Sequence, residues 1–153
     1  MTTNTTKLQF ISINDEHVST LLPIENACHS HPWSEKVFRS CIGGRYFGFL
    51  AQHQKEVIGF YIADSVADEV TLMDICIDPK HQGKGYGKAL MLHLNQQATH
   101  KDATTLLLEV RAKNISALMM YINQGFIEVA RRTGYYPSKI GYEDAIVMKK
   151  PLT

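Results

Sequence analysis

A mixed α/β fold, one sheet covered by helices, follows from three observations. Segments of strand-like apolar patterning interchange with segments of helical periodicity in the order β-α-α-β-β-β-α-β-α-β-β. A glycine-rich turn, Gln82-Gly83-Lys84-Gly85-Tyr86-Gly87-Lys88, separates a strand from a helix. The chain has 153 residues, the length of one domain, enough to bury roughly 70% of the surface its unfolded form exposes. The expectation is therefore a single domain over residues 1–153, a mixed seven-stranded sheet flanked by four helices.

Taken in order, residues 7–13 alternate polar and apolar side chains and read as a short strand. Asp15 can cap a helix running to about residue 26. His31-Pro32-Trp33 breaks the chain, because the residue before proline is pushed out of the helical region. Ser34 can cap a second helix, with Val37, Phe38, Cys41 and Ile42 repeating at helical spacing. Three strands follow closely, over 46–53, 56–64 and 69–77, the first two joined by a hairpin at Gln54-Lys55. Asp78-Pro79 ends the third. Beyond the glycine turn a helix covers 86–98, and 105–110 is a strongly apolar strand. A helix over 115–123 stops at Gly125, a residue suited to the left-handed conformation that ends helices. Two last strands, 126–133 and 142–149, are separated by a loop containing Gly134, Pro137 and Gly141.

Bulk properties exclude several classes. A formal net charge of +1 provides no global field drawing the chain to nucleic acid or membrane. No apolar run approaches the ~18 residues of a membrane span, and residues 1–6 are too polar for a signal peptide. The three cysteines, Cys28, Cys41 and Cys76, include no Cys-x-x-Cys pair and are odd in number. That argues against a disulfide framework and a zinc site, and suits a reducing cytoplasm. Of the seven histidines, only His29-x-His31 forms a close pair, expected at the surface and not as a metal site.

The glycine turn can cradle an anion. Glycines let the backbone approach a ligand and adopt positive φ, and the following helix points free N–H groups at it. Lys84 and Lys88 add positive charge. A plain strand–helix turn is the competing reading, and spacing excludes two familiar phosphate loops. A P-loop requires Gly-x-x-x-x-Gly-Lys-Ser/Thr. Here Gly83 to Gly87 is one residue short and Ala89 replaces the hydroxyl. The dinucleotide pattern Gly-x-Gly-x-x-Gly fails at Lys88 in one register and at Leu90 in the other.

What Gln82, Gly85 and Gly87 do match is the Gln/Arg-x-x-Gly-x-Gly/Ala signature of the GNAT N-acetyltransferases. The chain resembles this superfamily over nearly its whole length, in element order as well as motif. Within it, the chain is similar to the RimI-type ribosomal-protein-alanine N-acetyltransferases. The matching segments are Pro32-Trp33-Ser34, Leu108-Glu109-Val110-Arg111, Asn114, Tyr121 with Gly125-Phe126, Tyr135-Tyr136-Pro137 and Glu143-Asp144-Ala145.

The resemblance implies acetyl-CoA as cosubstrate, its pyrophosphate on residues Gly83, Lys84, Gly85, Tyr86, Gly87 and Lys88 behind Gln82. Its pantetheine would lie along Ile75, Cys76 and Ile77, with Asn114 contributing a hydrogen bond. Capping the next helix accounts for Asn114 equally well. Acetyl transfer to an amine requires a base, a polarised thioester carbonyl and an acid for the departing thiolate. Glu109 is the candidate base, directly or through water, and Tyr121 the candidate acid. A backbone N–H of the 75–77 strand would polarise the carbonyl. Competing readings make Glu109 a strand-end carboxylate paired with Arg111 or Lys113, Tyr121 a packing residue and Asp74 the base. Cys76, in an apolar strand without a neighbouring base, is expected to pack rather than attack.

By resemblance the acceptor is the N-terminal alanine of a small-subunit ribosomal protein. An α-amine, with a pKa of about 7.7–8.0 against about 10.4 for lysine, costs roughly 1 kcal/mol to deprotonate at pH 7 where lysine costs over ~4. Trp33, Tyr135 and Tyr136 would wall its groove, while Glu25, Glu143 or Asp144 would meet its positive charges. Trp33 as a core anchor and the carboxylates as solvated surface are the plainer readings. No direct nucleic-acid or membrane contact is expected, and the oligomeric state is a monomer or weak dimer. Two alternatives keep the fold: transfer to a lysine or small amine, or an acetyl-CoA-binding module without turnover.

Overall fold

Ile58, Phe60, Tyr61, Ile62 and Ala63 are all essentially buried, which marks their strand as the one covered on both faces. They belong to β3 (Glu56–Val66) of a seven-stranded sheet. The computed structural model describes residues 7–138 and 141–152. The remaining strands are β1 (Gln9–Ser12), β2 (Tyr46–His53), β4 (Glu69–Ile77), β5 (Thr105–Arg111), β6 (Ile127–Ser138) and β7 (Gly141–Pro151). Their order in the sheet is β1-β2-β3-β4-β5-β7-β6, with β4–β5 parallel and every other neighbouring pair antiparallel. Helices α1 (Val18–Cys28), α2 (Glu35–Ser40), α3 (Tyr86–His100) and α4 (Ile115–Asn123) cover it.

Alternation along β3 splits the core in two. Phe60 and Ile62 pack with Val18, Leu21 and Ile24 of α1 and Phe38 of α2. Tyr61 and Ala63 pack with Leu90, Met91, Leu94 and Ala98 of α3. Removing each such side chain from water stabilises the fold by about 1.5–3 kcal/mol for residues of Leu or Phe size. The α3 contacts recur at helical spacing along the helix (Leu90, Leu94, Ala98), which fixes the face it presents.

Two irregularities position the site. The β3–β4 register shifts where Ile62 pairs with Asp74 but Ala63 pairs with Leu72, leaving Met73 as an extra residue in β4. Side chains two apart on a regular strand share a face, yet Leu72 belongs to the α3 core and Cys76 to the α1 core. The bulge makes that switch, turning Asp74 and Cys76 toward α1. The second irregularity is a splay. β4 and β5 pair only from Glu69–Thr105 to Thr71–Leu107, and beyond Thr71 they part.

Several local expectations are corrected. Asn14, not Asp15, is the first cap: it accepts from the Glu16 N–H and opens a 3-10 turn, Asp15–His17, that leads into α1. An amide oxygen one residue earlier serves as well as the Asp15 carboxylate. Ser34 caps α2 as expected, accepting from the Val37 N–H. Gly134, Pro137 and Gly141 lie in the long β6–β7 hairpin and not in a loop, because edge strand β6 tolerates residues that disrupt an interior ladder. Cys28 and Cys76 are paired as a disulfide, contrary to the expectation drawn from cysteine spacing; only Cys41 is free. Contact between the end of α1 and β4 brings the two together across 48 residues of sequence. Residues 1–6, read as too polar for a signal peptide, lie outside the described residues. Among the described residues, no helix is long and apolar enough to cross a membrane.

Candidate active site

Where β4 and β5 part, a cleft of about 920 Å³ opens. Along its β4 wall, backbone groups beyond Thr71 have no ladder partner on β5, so they are available to an extended ligand carrying amides of its own. Ile75 and Ile77 line this wall, whereas the Cys76 side chain is buried against α1. The loop after β4 continues the lining through Gln82, Gly83, Gly85, Tyr86, Gly87 and Lys88. Lys84 is not part of it.

Local geometry suits the loop to an anion. Gly83 and Gly85 adopt φ of +79° and +85°, values open to glycine without strain. Gly85 is the N-cap of α3 and supplies no side chain to cap it, and Ala89 is the residue whose N–H closes the first helical bond, to the Gly85 carbonyl. The preceding amides of the first turn are thus left for a ligand, with the positive end of the helix behind them. Gln82 braces the loop by donating from Nε2 to the Ile77 carbonyl (3.1 Å).

The opposite wall carries the candidate acid and base. Glu109 on β5 and Tyr121 on α4 both line the cleft. The partner of Glu109 is neither Arg111 nor Lys113 but Arg132 of β6, whose Nε donates to Oε1 at 2.9 Å. Arg111 is held by Glu143 (3.0 Å) and lies over the Tyr136 ring. Tyr121 is 5% exposed, its ring set edge-on to Phe126. Burial above all, with smaller effects of Tyr136 and Asp74, raises its hydroxyl pKa to about 12, so it keeps its proton at neutral pH. Asn114 accepts from the Ala117 N–H as the cap of α4 and also lines the cleft. Both readings of that residue are compatible with its position.

Of the acceptor-side candidates, Trp33 and Tyr136 line the cleft. Burial first, then the Glu109 charge, pushes the Tyr136 hydroxyl pKa upward. Tyr135 and Asp144 stand apart. Tyr135 is half exposed under the Arg132 guanidinium, and Asp144 bonds Arg131 and the Gly134 N–H. Both are occupied in bracing the β6–β7 hairpin.

The cleft also holds a polar group that sequence reading dispersed. Glu25, read as meeting the acceptor's positive charges or as solvated surface, lines the cleft but is 1% exposed, and its Oε2 accepts from the Trp33 N–H at 2.9 Å. Asp74 lies beside it, and His29 Nε2 reaches Asp74 Oδ1 at 2.7 Å. Desolvation, with the hydrogen bond and charge of Asp74 adding to it, raises the Glu25 carboxyl pKa to about 9. Glu25 therefore keeps its proton at neutral pH. Sequence joins Glu25 to His29 only through their i, i+4 spacing at the end of α1. Nothing local links either to Asp74, or Glu109 to Arg132.

Comparison with known proteins accords with this geometry. The sequence model of the acetyltransferase (GNAT) family matches residues 15–126. The [ribosomal protein bS18]-alanine N-acetyltransferase of Escherichia coli K12 is 42% identical over 130 residues, covering 85% of this chain and 88% of that protein. Its namesake from Haemophilus influenzae is 42% identical over 129 residues, covering 84% and 88%. The crystal structure of the Escherichia coli ribosomal-protein-S18-alanine N-acetyltransferase superposes with a TM-score of 0.92 at 38% identity, covering 95% of this chain and 94% of that one. Arabidopsis thaliana NAA60, solved with acetyl-CoA, shares the fold at a TM-score of 0.83 and 19% identity, covering 95% and 98%.

Proposed function

The chain belongs to the acetyltransferase (GNAT) family, and from that premise we propose that it transfers the acetyl group of acetyl-CoA to the N-terminal alanine of ribosomal protein bS18. The observation that carries this reading is the joint presence of Glu109, Tyr121 and the glycine loop on one cleft between parted strands. A protein that only held acetyl-CoA would need the loop and β4 but neither the carboxylate nor the phenol.

Each part of the site then has a task. The β4 edge takes the pantetheine amides, and the 83–88 amides take the pyrophosphate. Glu109, kept in place by Arg132, accepts a proton from the acceptor ammonium through a water. The freed amine attacks the thioester carbonyl, and a β4 N–H stabilises the oxygen that becomes negative. As the C–S bond breaks, Tyr121 donates its proton to the sulfur, the nitrogen gives up its second proton to become an amide, and that proton restores the Tyr121 hydroxyl by way of water, leaving the proton on Glu109 to pass to solvent. The dry surroundings that raise the tyrosine pKa raise that of the thiolate too, so donation remains feasible. Arg132 then helps return Glu109 to its ionised state. The names of the relatives place their substrate on the ribosome of bacteria, which supports a cytoplasmic location for this chain as well.

Mass spectrometry after incubation with acetyl-CoA and a peptide carrying the bS18 N-terminus tests the reading. We expect one acetyl group on the α-amine of alanine and none on internal lysines. Modification confined to lysine side chains would overturn it.

A further inference from the structure

The buried group formed by Glu25, His29, Asp74 and Cys76 is not used by the acetyl-transfer chemistry. Its four donor atoms, Glu25 Oε1, His29 Nε2, Asp74 Oδ1 and Cys76 Sγ, all lie within 4.8 Å of one another. The separations are 2.7 Å for His29–Asp74, 3.8 Å for His29–Glu25, 3.2 Å for Cys76–Glu25 and 3.8 Å for Cys76–Asp74. Tetrahedral zinc, with bonds of about 2.0–2.3 Å, needs donor separations of about 3.3–3.7 Å. Adjustments of a few tenths of an ångström at most donors, and somewhat more for His29–Asp74, would meet that. Asp74 is also 7% exposed, and its Oδ2 is buried with no donor to meet it other than the neighbouring Glu25 carboxyl. A second carboxylate, Glu25, is buried beside it at 1% exposure. Two adjoining buried carboxylates, an imidazole and a sulfur constitute a donor set for a borderline-soft divalent cation.

We propose that, when Cys76 is reduced, Glu25, His29, Asp74 and Cys76 bind a zinc ion at the α1–β4 junction. The site uses neither Glu109 nor Tyr121, although it opens on the same cleft. Three of the ligands line the cleft, so the ion enters from solvent without opening the core. The Cys28–Cys76 disulfide and the metal exclude each other, because only a thiolate ligates. Reduction by a dithiol yields the Cys28 and Cys76 thiols and leaves the dithiol as its disulfide. On binding, the Cys76 thiol releases its proton to solvent, since only the thiolate ligates.

Cobalt(II) titration is the direct test, since a thiolate ligand gives a charge-transfer absorption and tetrahedral geometry gives intense d–d bands. The reduced wild type, and the Cys28→Ser variant without reductant, are expected to take up one equivalent with both features. Adding zinc should bleach them. Adding Cys76→Ser to Cys28→Ser should abolish the charge-transfer band. Asp74→Asn, nearly isosteric, should weaken affinity at least tenfold, and so should His29→Ala; His31→Ala should leave it unchanged. The proposal falls if neither the reduced wild type nor Cys28→Ser shows the charge-transfer band. It falls equally if the band survives loss of Cys76, or if Asp74→Asn and His29→Ala bind cobalt as tightly as the parent.

Discussion

Tyr121 and Glu109 present opposite problems to the chemistry. Tyr121 is nearly enclosed, with a pKa raised to about 12, so its phenol is a proton donor at neutral pH. Replacing it by phenylalanine keeps the packing against Phe126 and removes the proton. We expect kcat to fall by about 10²–10⁴-fold, the usual contribution of a positioned acid, with acetyl-CoA affinity within about twofold of wild type. Steady-state kinetics paired with calorimetric titration of acetyl-CoA would check this; unchanged turnover would remove Tyr121 from the acid role. Glu109 is one-quarter exposed and tied to Arg132. Glu109→Gln keeps an acceptor for Arg132 but is a far weaker base. Its rate deficit should therefore be largest at low pH, where most of the acceptor amine carries a proton, and shrink as pH passes the α-amine pKa of about 8. A pH-rate profile parallel to wild type would instead assign Glu109 to positioning. Both residues were visible in sequence as candidates. The partner of Glu109 was not, because Arg132 reaches it across the β5–β7–β6 order, which sequence separation does not encode.

At the scale of elements, the loop and the two sheet irregularities differ in how much the sequence discloses. The loop is legible because its requirement is local: glycines at positive φ immediately before an uncapped helix. Gly83 illustrates it. Its φ is +79°, and a methyl group there would meet nothing within 4 Å, so Gly83→Ala alters conformational preference alone. The left-handed conformation costs an L-residue about 1–2 kcal/mol. A free loop relaxes away from that cost, and the ligand must then reimpose it. Acetyl-CoA binding should weaken by about tenfold while the melting temperature moves little; calorimetry and thermal denaturation together distinguish this from general damage. The bulge at Met73 was illegible, since residues 69–77 read as one continuous strand and only pairing with β3 reveals the additional residue. Its effect is large: it turns Asp74 and Cys76 toward α1. The solvated-surface reading of Glu25 and the expectation of unpaired cysteines fail for that reason. For the β6–β7 hairpin the two strands are legible but their outer ends are not, because Gly134, Pro137 and Gly141 read as loop signals that an edge strand tolerates.

For the whole molecule, the buried carboxyl of Glu25 couples stability to pH. Its pKa rises from 4.5 to about 9 on folding, chiefly through desolvation. Between those values the folded chain holds a proton that the unfolded chain has released. Stability contributed by this group is therefore highest below about pH 4.5 and falls as pH rises toward 9. Glu25→Gln mimics the protonated carboxyl and has no proton to lose. Its melting temperature should decline less steeply than that of wild type from pH 6 to 9, gaining on the order of a few kcal/mol at the alkaline end. A variant with the wild-type slope would show that another group governs this range.

The cleft traverses the sheet instead of lying on one side. The amides of the 83–88 loop belong to the α3 side, while Trp33 and the end of α1 belong to the other. Under the proposed function, acetyl-CoA takes the loop side and the acceptor the Trp33 side, so that neither has to leave before the other arrives. The kinetic counterpart is a ternary complex and direct transfer: double-reciprocal plots at several fixed acceptor concentrations should intersect. Parallel lines would signify an acetylated enzyme intermediate and a shared door.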